Sequence, residues 1–240
     1  MPAKTKIEWA DYISNPIKAR NLTTGKQGHA CVKISEGCTH CWASNFNIRL
    51  GTVLGYTQPN LARVEHYIDE KEFKRILNFK PRGPFKHGRE LAVVFPCDMT
   101  DIFGSWISDE WLDRLFFAMH MTPHVDWFML TKRTDRMMNY LADKHNRGNV
   151  VFSNIYLGCS VENQKRADER RGAMDAISYL GWKTWVSFEP ALEVVNWDGW
   201  QFLKGLVCGG ESGVMARPMP PEAPREARNF CAEFDIAFFF

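Results

Sequence analysis

Six short apolar runs, separated by stretches of helical periodicity, constrain the fold of this chain more than any other feature of its sequence. They are "LAVVFPC" (91–97), "VDWFMLT" (125–131), "NIYLGCS" (154–160), "KTWVSFE" (183–189), "GLVCGG" (205–210) and "DIAFFF" (235–240). Each is rich in β-branched and aromatic residues and nearly continuous in apolar character, as a strand buried on both faces must be. Between them lie helical patterns. "DEWLDRLFFAMH" follows Ser108, puts Asp109 and Glu110 where the helix dipole favours negative charge, and lines up Trp111, Leu112, Leu115, Phe116 and Met119. "TDRMMNYLADKH" starts from Thr134 with Met137, Met138 and Leu141 inward. "ENQKRADERRGAMDAISYL" turns apolar at Ala173, Ala176, Ile177 and Leu180, and "PPEAPREARNFCAEF" is a proline-started helix. This alternation predicts parallel βαβ units, hence an α/β sheet or barrel. No internal repeat, low-complexity tract or linker divides the chain, so residues 1–240 read as a single domain.

Five of these strands end in polar or charged residues. Asp98 and Asp101 follow the first, Lys132 and Arg133 the second, and Ser160, Glu162 and Asn163 the third. Glu189 ends the fourth, and Gly209, Gly210, Glu211 and Ser212 follow the fifth. In parallel α/β folds the carboxyl ends of the strands form one rim, and that rim carries the site. Two glycines at a strand end let a ligand approach the backbone closely. A carboxylate at Glu162 suits ribose hydroxyls. Arg133, with Lys132, suits a phosphate or carboxylate. Asp98 and Asp101 are candidates for positioning substrate, with helix capping the plainer role of Asp101.

"HACVKISEGCTHCWA" (29–43) places Cys31, Cys38 and Cys41 at C-x6-C-x2-C spacing. The sequence has no signal-peptide core and no stretch that could span a bilayer, which predicts a cytoplasmic protein with reduced thiols. A disulfide framework is the weakest explanation of the cluster. Zinc is a real competitor, because His29 or His40 would complete a Cys3His tetrahedron, although no second knuckle occurs. Three thiolates also hold an iron–sulfur cube with one iron open to a substrate or cofactor. S-adenosylmethionine suits that iron through its amino and carboxylate groups. The cysteines lead into the helix "WASNFNIRL", where Trp42 is expected to pack underneath, and a short strand near 25–30 would bring them to the same rim.

The ordered blocks "KIEWADYISNP", "CVKISEGCTHCWA", "DMTDIFGSWI", "LTKRTDRM", "YLGCSVEN", "WVSFEPAL" and "GLVCGGESGVMARPM" span essentially the whole chain. In them the chain resembles a phage-encoded three-cysteine-motif family related to radical S-adenosylmethionine enzymes. That resemblance implies a single (β/α) barrel, partial or full, a [4Fe–4S] cluster on Cys31, Cys38 and Cys41, and S-adenosylmethionine as co-substrate. It also implies a flavodoxin- or ferredoxin-type electron donor and a modified nucleobase or nucleoside as substrate. Phage DNA thymidine hypermodification by an isomerase-type rearrangement, in the host cytoplasm, would fit. The chain departs from the common radical motif in its six-residue first gap and in His40, which stands where an aromatic usually precedes the third cysteine and is a candidate for cofactor contact.

Two other readings stay open. Glu162, Glu189 and Glu211 would suit a hard divalent ion in a barrel with structural zinc. The stretch "KEFKRILNFKPRGPFKHGRE" interleaves basic residues with Phe73, Phe79 and Phe85, as a non-catalytic nucleic-acid-binding protein would need. A net charge of +2 gives no whole-chain field towards nucleic acid.

Overall fold

The computed structural model describes residues 2–148 and 150–240. In chain order the elements are β1 (Ala3–Lys4), β2 (Tyr12–Ser14), β3 (Ile17–Asn21), β4 (Gln27–Gly28), α1 (Trp42–Leu50), α2 (Gln58–Leu61), β5 (Val64–Ile68) and α3 (Glu70–Leu77). They continue with β6 (Ala92–Pro96), α4 (Asp109–His120), β7 (Val125–Thr131), α5 (Thr134–Asn146), β8 (Ile155–Ser160) and α6 (Gln164–Tyr179). Last come β9 (Lys183–Phe188), β10 (Gly205–Cys208), α7 (Glu222–Glu233) and β11 (Ala237–Phe239). The chain packs as two compact units: residues up to Ile34 with Cys41–Met129, and Ser35–His40 with Leu130–Phe240.

In the first unit β2, β6 and β7 run parallel, with β1 antiparallel on β2. Register pairs Tyr12 with Val94 and Ala92 with Val125. A second, antiparallel sheet has the order β4-β3-β5. The strand expected near 25–30 is therefore present as β4, but it lies in this small sheet and not in the parallel series. Strand β2 opens the parallel series instead. Its three residues are too short to show a period against the background of a polar amino-terminal segment.

In the second unit β8, β9, β10 and β11 are all parallel, pairing Ser160 with Ser187 and Cys208 with Phe188. Every β9 residue after Lys183 is buried, which is why these strands read as continuous apolar runs. Helix α6 is capped by Asn163, whose Oδ1 accepts from Arg166 N at 3.0 Å. It buries Ala167, Arg170, Met174 and Ile177, while Ala176 is exposed. The inward stripe thus runs one position away from the alanines and passes through an arginine, for a reason that lies in the site. Helix α4 buries Leu112, Leu115, Phe116 and Met119 as expected, with Trp111 only partly covered. Ser108 caps it through Trp111 N.

Two of the basic side chains in the stretch after β5 work inside the first unit. Lys86 Nζ donates to the carbonyls of Thr5, Ile7 and Ala10 at 2.9, 2.6 and 2.7 Å, and Arg89 Nη1 to that of Trp9 at 2.8 Å. Phe73 and Phe79 are core residues. Among the described residues no helix is long and apolar enough to cross a membrane.

Candidate functional site

Cys38 closes a short 3-10 turn, Glu36–Cys38, within the Ser35–His40 segment of the second unit. Such a turn satisfies few of its own backbone groups, so its shape depends on what surrounds it. Here the strand tips supply the support. Ser35 Oγ donates to Glu162 Oε1 at 2.7 Å and stands 3.7 Å from Cys38 Sγ. Arg166 grips the Glu36 carboxylate with two bonds, Nε to Oε2 at 2.8 Å and Nη2 to Oε1 at 3.1 Å. Arg217 Nη2 donates to the Glu36 carbonyl at 2.9 Å. His40 Nδ1 lies 2.9 Å from Glu211 Oε2. Gly37 has no room for a side chain: a Cβ there would stand 2.6 Å from Glu162 Cγ.

Glu162 is fully buried just past the end of β8. Arg170 Nη1 donates to its Oε2 at 2.7 Å, and Lys132 Nζ lies 3.6 Å from its Oε1. Burial alone would raise its carboxyl, yet Lys132, Arg170 and the Ser35 hydrogen bond together hold it below the ordinary carboxylate range. Lys132 also donates to Ser160 Oγ at 2.9 Å, and Arg170 Nη1 to the Ser160 carbonyl at 2.5 Å. This is why α6 turns an arginine inward. Glu211 is gripped by Arg217 through Nε, Nη2 and the backbone N–H. Those bonds, with one from His40, draw its carboxyl down to about 2. The Arg166 bonds do the same for Glu36, also to about 2.

Of the remaining rim residues of this unit, Ser187, Glu189 and Gly209 lie against one another. Ser187 Oγ donates to Glu189 Oε2 at 3.1 Å. Gly209 leaves room for Glu189, whose Oε1 would be 2.9 Å from a Cβ at that position. Gly210 meets only Met219 Cβ at 3.9 Å, Ser212 is exposed, and Arg133 N donates to Thr131 Oγ1 at 2.9 Å.

Cys31 and Cys41 belong to the first unit, where both pack against a cluster of Ala43, Tyr56 and Met99. Cys41 is the N-cap of α1, and its Sγ accepts from Ser44 N at 3.5 Å, which places this sulfur at the positive end of a helix. Asn47, on the inner face of the same helix, accepts from His29 N at 2.9 Å and donates to Leu54 O at 2.9 Å. One helix therefore fixes Cys41 and the approach to Cys31. The β6 tip supports the same loop: Thr100 Oγ1 donates to Ala30 O at 2.6 Å, and Trp106 Nε1 to Thr100 Oγ1 at 3.2 Å. Asp98 is hydrogen-bonded by Asn15 Nδ2, and burial pushes its carboxyl up against that bond. The Tyr56 phenol, bonded to Met99 O at 2.6 Å, is likewise raised by burial, with Cys31, Cys41 and Asp98 adding to it. Asp101 Oδ1 accepts from Phe103 N at 3.0 Å, a local turn role.

The seven cysteines divide sharply. Cys31, Cys38 and Cys41 are partly exposed, whereas Cys97, Cys159, Cys208 and Cys231 are buried, and none forms a disulfide. Burial pushes Cys159 and Cys208 up to about 12 and Cys231 to about 11, and Cys97 beyond them. Only the three loop thiols suit metal ligation as thiolates. Among the described residues no three His, Cys, Asp or Glu side chains are grouped as a single ion would need. His29 is held on Ile17 O at 3.1 Å and lowered by burial to about 4, and His40 on Glu211. Glu162, Glu189 and Glu211 spend their oxygens on three separate sets of partners. Cysteine thiolates are the donors an iron–sulfur cluster takes.

Sequence reasoning missed Ser35, Asn47, Arg166, Arg170 and Arg217. A single serine, asparagine or arginine carries no periodicity, and these act on residues up to 181 positions away.

A family model described as protein of unknown function (DUF5131) matches residues 4–240. A comparison with curated proteins finds no match. Among solved structures, spore photoproduct lyase complexed with dinucleoside spore photoproduct is similar, with a TM-score of 0.53 and 13% identity over 100% of this chain and 78% of that one. A double mutant of that lyase with bound AdoMet and dinucleoside spore photoproduct gives 0.52 and 13% over the same shares. The likeness is one of fold: this chain shares the α/β fold of that lyase.

Proposed function

We propose that this chain, which belongs to the DUF5131 family, is a radical S-adenosylmethionine enzyme holding a [4Fe–4S] cluster on Cys31, Cys38 and Cys41. The observation that carries this reading is the Cys38 turn, held by Glu162, Arg166, Arg217 and Glu211. A surface loop without a ligand to present has no use for two buried or bidentate ion pairs. The contrast between three accessible thiols and four buried ones supports the same assignment.

When bound, the cluster supplies the electron that splits a carbon–sulfur bond of S-adenosylmethionine. The chain's own residues set the frame for that. Glu162 is a positioning residue: with Arg170 and Lys132 it fixes Ser35 and excludes any side chain at position 37. Arg217 joins Glu211 to the turn, and His40 extends that link to the residue before Cys41. Asp98, half-buried and held by Asn15 Nδ2 beside Tyr56, is placed to meet a polar group of a substrate.

The substrate class we propose is a modified nucleobase or nucleoside, within DNA or free, undergoing an isomerase-type rearrangement. Its support is the resemblance in sequence, together with a fold shared with a lyase one of whose structures holds AdoMet and dinucleoside spore photoproduct. Anaerobic reconstitution should give a brown protein with about four irons per chain. On reduction it should form 5′-deoxyadenosine, faster with the right nucleoside. Changing any of Cys31, Cys38 or Cys41 to Ala should abolish both iron retention and that product. A colourless protein with stoichiometric zinc after reconstitution, or undiminished product from the alanine variants, overturns the reading.

A further inference from the structure

The face of α3 turned away from the core carries charge of one sign. Lys71, Lys74 and Arg75 are exposed with Asn78 beside them, and at 3.6 residues per turn they share an arc of about 100°. Phe79 then pins the chain, buried and with its carbonyl 2.6 Å from His124 Nε2, and exposed Lys80 and Arg82 follow. Among the described residues Lys71, Lys74, Lys80 and Arg82 make no ion pair, and Arg75 has only Glu72 at 4.0 Å.

The neighbouring carboxylates are engaged elsewhere. Glu65 pairs with Arg20 at 3.3 Å and Asp69 with Lys18 at 3.4 Å. Arg114 of α4 donates to both oxygens of Glu70, at 2.9 and 2.8 Å, and its guanidinium lies 4.6 Å over the Phe73 ring. That flank of α3 faces α4, with its acids Asp109, Glu110 and Asp113, and lies about a third of a turn from the lysines. Glu90 is exposed, beyond the 86–89 segment that Lys86 and Arg89 fasten to residues 5–10.

Glu72 fixes where this face sits. Its Oε1 accepts from Ser14 Oγ at 3.3 Å and Asn15 N at 3.5 Å, and Asn15 Nδ2 in turn donates to Asp98. The tips of β2 and β6 thereby hold α3, and the β6 tip also holds the approach to Cys31 through Thr100 and Ala30. The basic face borders that rim.

What it recognises follows from what it lacks. Its exposed side chains are lysine, arginine and asparagine, with no large apolar group to seed a protein interface or enter a membrane. Phe73 and Phe79, which would stack the bases of a single strand, are only 7 and 3% exposed. Cations without a stacking ring suit a backbone of dense, fixed charge, and duplex DNA presents one charge per ~1.7 Å of its axis. A whole-chain charge of +2 does not oppose this, because salt screens charges beyond about 10 Å. We propose that the α3 face of Lys71, Lys74 and Arg75, with Lys80 and Arg82 after it, binds the phosphate backbone of duplex DNA. The inference rests on the substrate reading, which admits a nucleoside within DNA or free, and deepens it by choosing the polymer.

The test uses metal-free protein, a fluorescent DNA duplex of about 20 base pairs, and anisotropy across a salt series. At about 0.9 counterions released per phosphate, wild-type affinity should fall about 500-fold between ~50 and ~200 mM salt. The variant Lys71→Ala, Lys74→Ala, Lys80→Ala, Arg82→Ala should bind more weakly at ~50 mM and lose only about fourfold over that range. Lys71→Arg, Lys74→Arg, Lys80→Arg keeps the charge and should behave as wild type. No binding by wild type at ~50 mM salt, an unchanged salt series in the alanine variant, or equal loss in the arginine variant overturns the proposal. So does tighter binding to anionic phospholipid vesicles than to the duplex. Binding needs no cluster, so the surface is tested apart from the chemistry. A wild type that binds the duplex yet forms no 5′-deoxyadenosine after reconstitution overturns the cluster reading and upholds this one.

Discussion

Glu162 reaches Cys38 through Ser35, and Glu211 reaches the Glu36–Cys38 turn through Arg217. Both carboxyls lie below their ordinary range because arginine or lysine partners outweigh burial, or simply add to hydrogen bonding. The consequence for Glu211 can be measured. A carboxyl lowered to about 2 from 4.5 contributes stability that is complete above about pH 4.5 and lost as pH falls toward 2. Acidification from about pH 5 to about pH 3 should lower the thermal midpoint of the wild type more than that of Glu211→Gln, which should start lower. Parallel loss in the two proteins would mean that the Arg217 pairing contributes nothing. Measured separately by hydrogen exchange, Arg217→Ala should speed exchange at residues 35–40, with or without metal.

At the scale of elements, the glycines separate support from slack. Gly37 faces buried Glu162 and cannot accept a methyl group, so Gly37→Ala should destabilise the protein by about 1–3 kcal/mol. Gly172, on the outside of α6 with nothing within 4 Å, should do the opposite. Gly172→Ala should add about 1 kcal/mol, through helix propensity and a less flexible unfolded chain. Denaturant midpoints of the two variants check both signs. The helices also show where pattern reading succeeds and fails. Helix α4 lies where its cap and apolar stripe predict, because every residue it buries is apolar. Helix α6 does not, because Arg170 is drawn inward by a carboxylate on a different element. Trp42, expected under α1, stands outside it because Ser44 and Asn47 already occupy the inner face.

Across the whole molecule the thiols provide a direct readout. Brief alkylation of the native, metal-free protein should label Cys31, Cys38 and Cys41 and leave Cys97, Cys159, Cys208 and Cys231 until unfolding. Mass spectrometry that finds a buried thiol labelled as fast as a loop thiol would contradict the division. The basic stretch gives a second lesson at this scale. Lys86 and Arg89 look like nucleic-acid contacts in sequence, yet they tie residues 5–10 to the 86–89 segment by donating to backbone carbonyls.

The strand–helix series from β6 onward, the polar strand tips and the three-cysteine loop were legible without a structure, whereas β1, β2, β3 and β5 were not. Each is written in local composition or period, and the physics that sets it acts within one element. Which polar residues serve the loop was not legible. Ser35 meets Glu162 and Arg217 meets Glu36 only once distant segments are packed, and a buried charge declares its partner through geometry alone. The same holds for the outer face of α1, since apolar residues read as core until folding shows which side of the helix is already full.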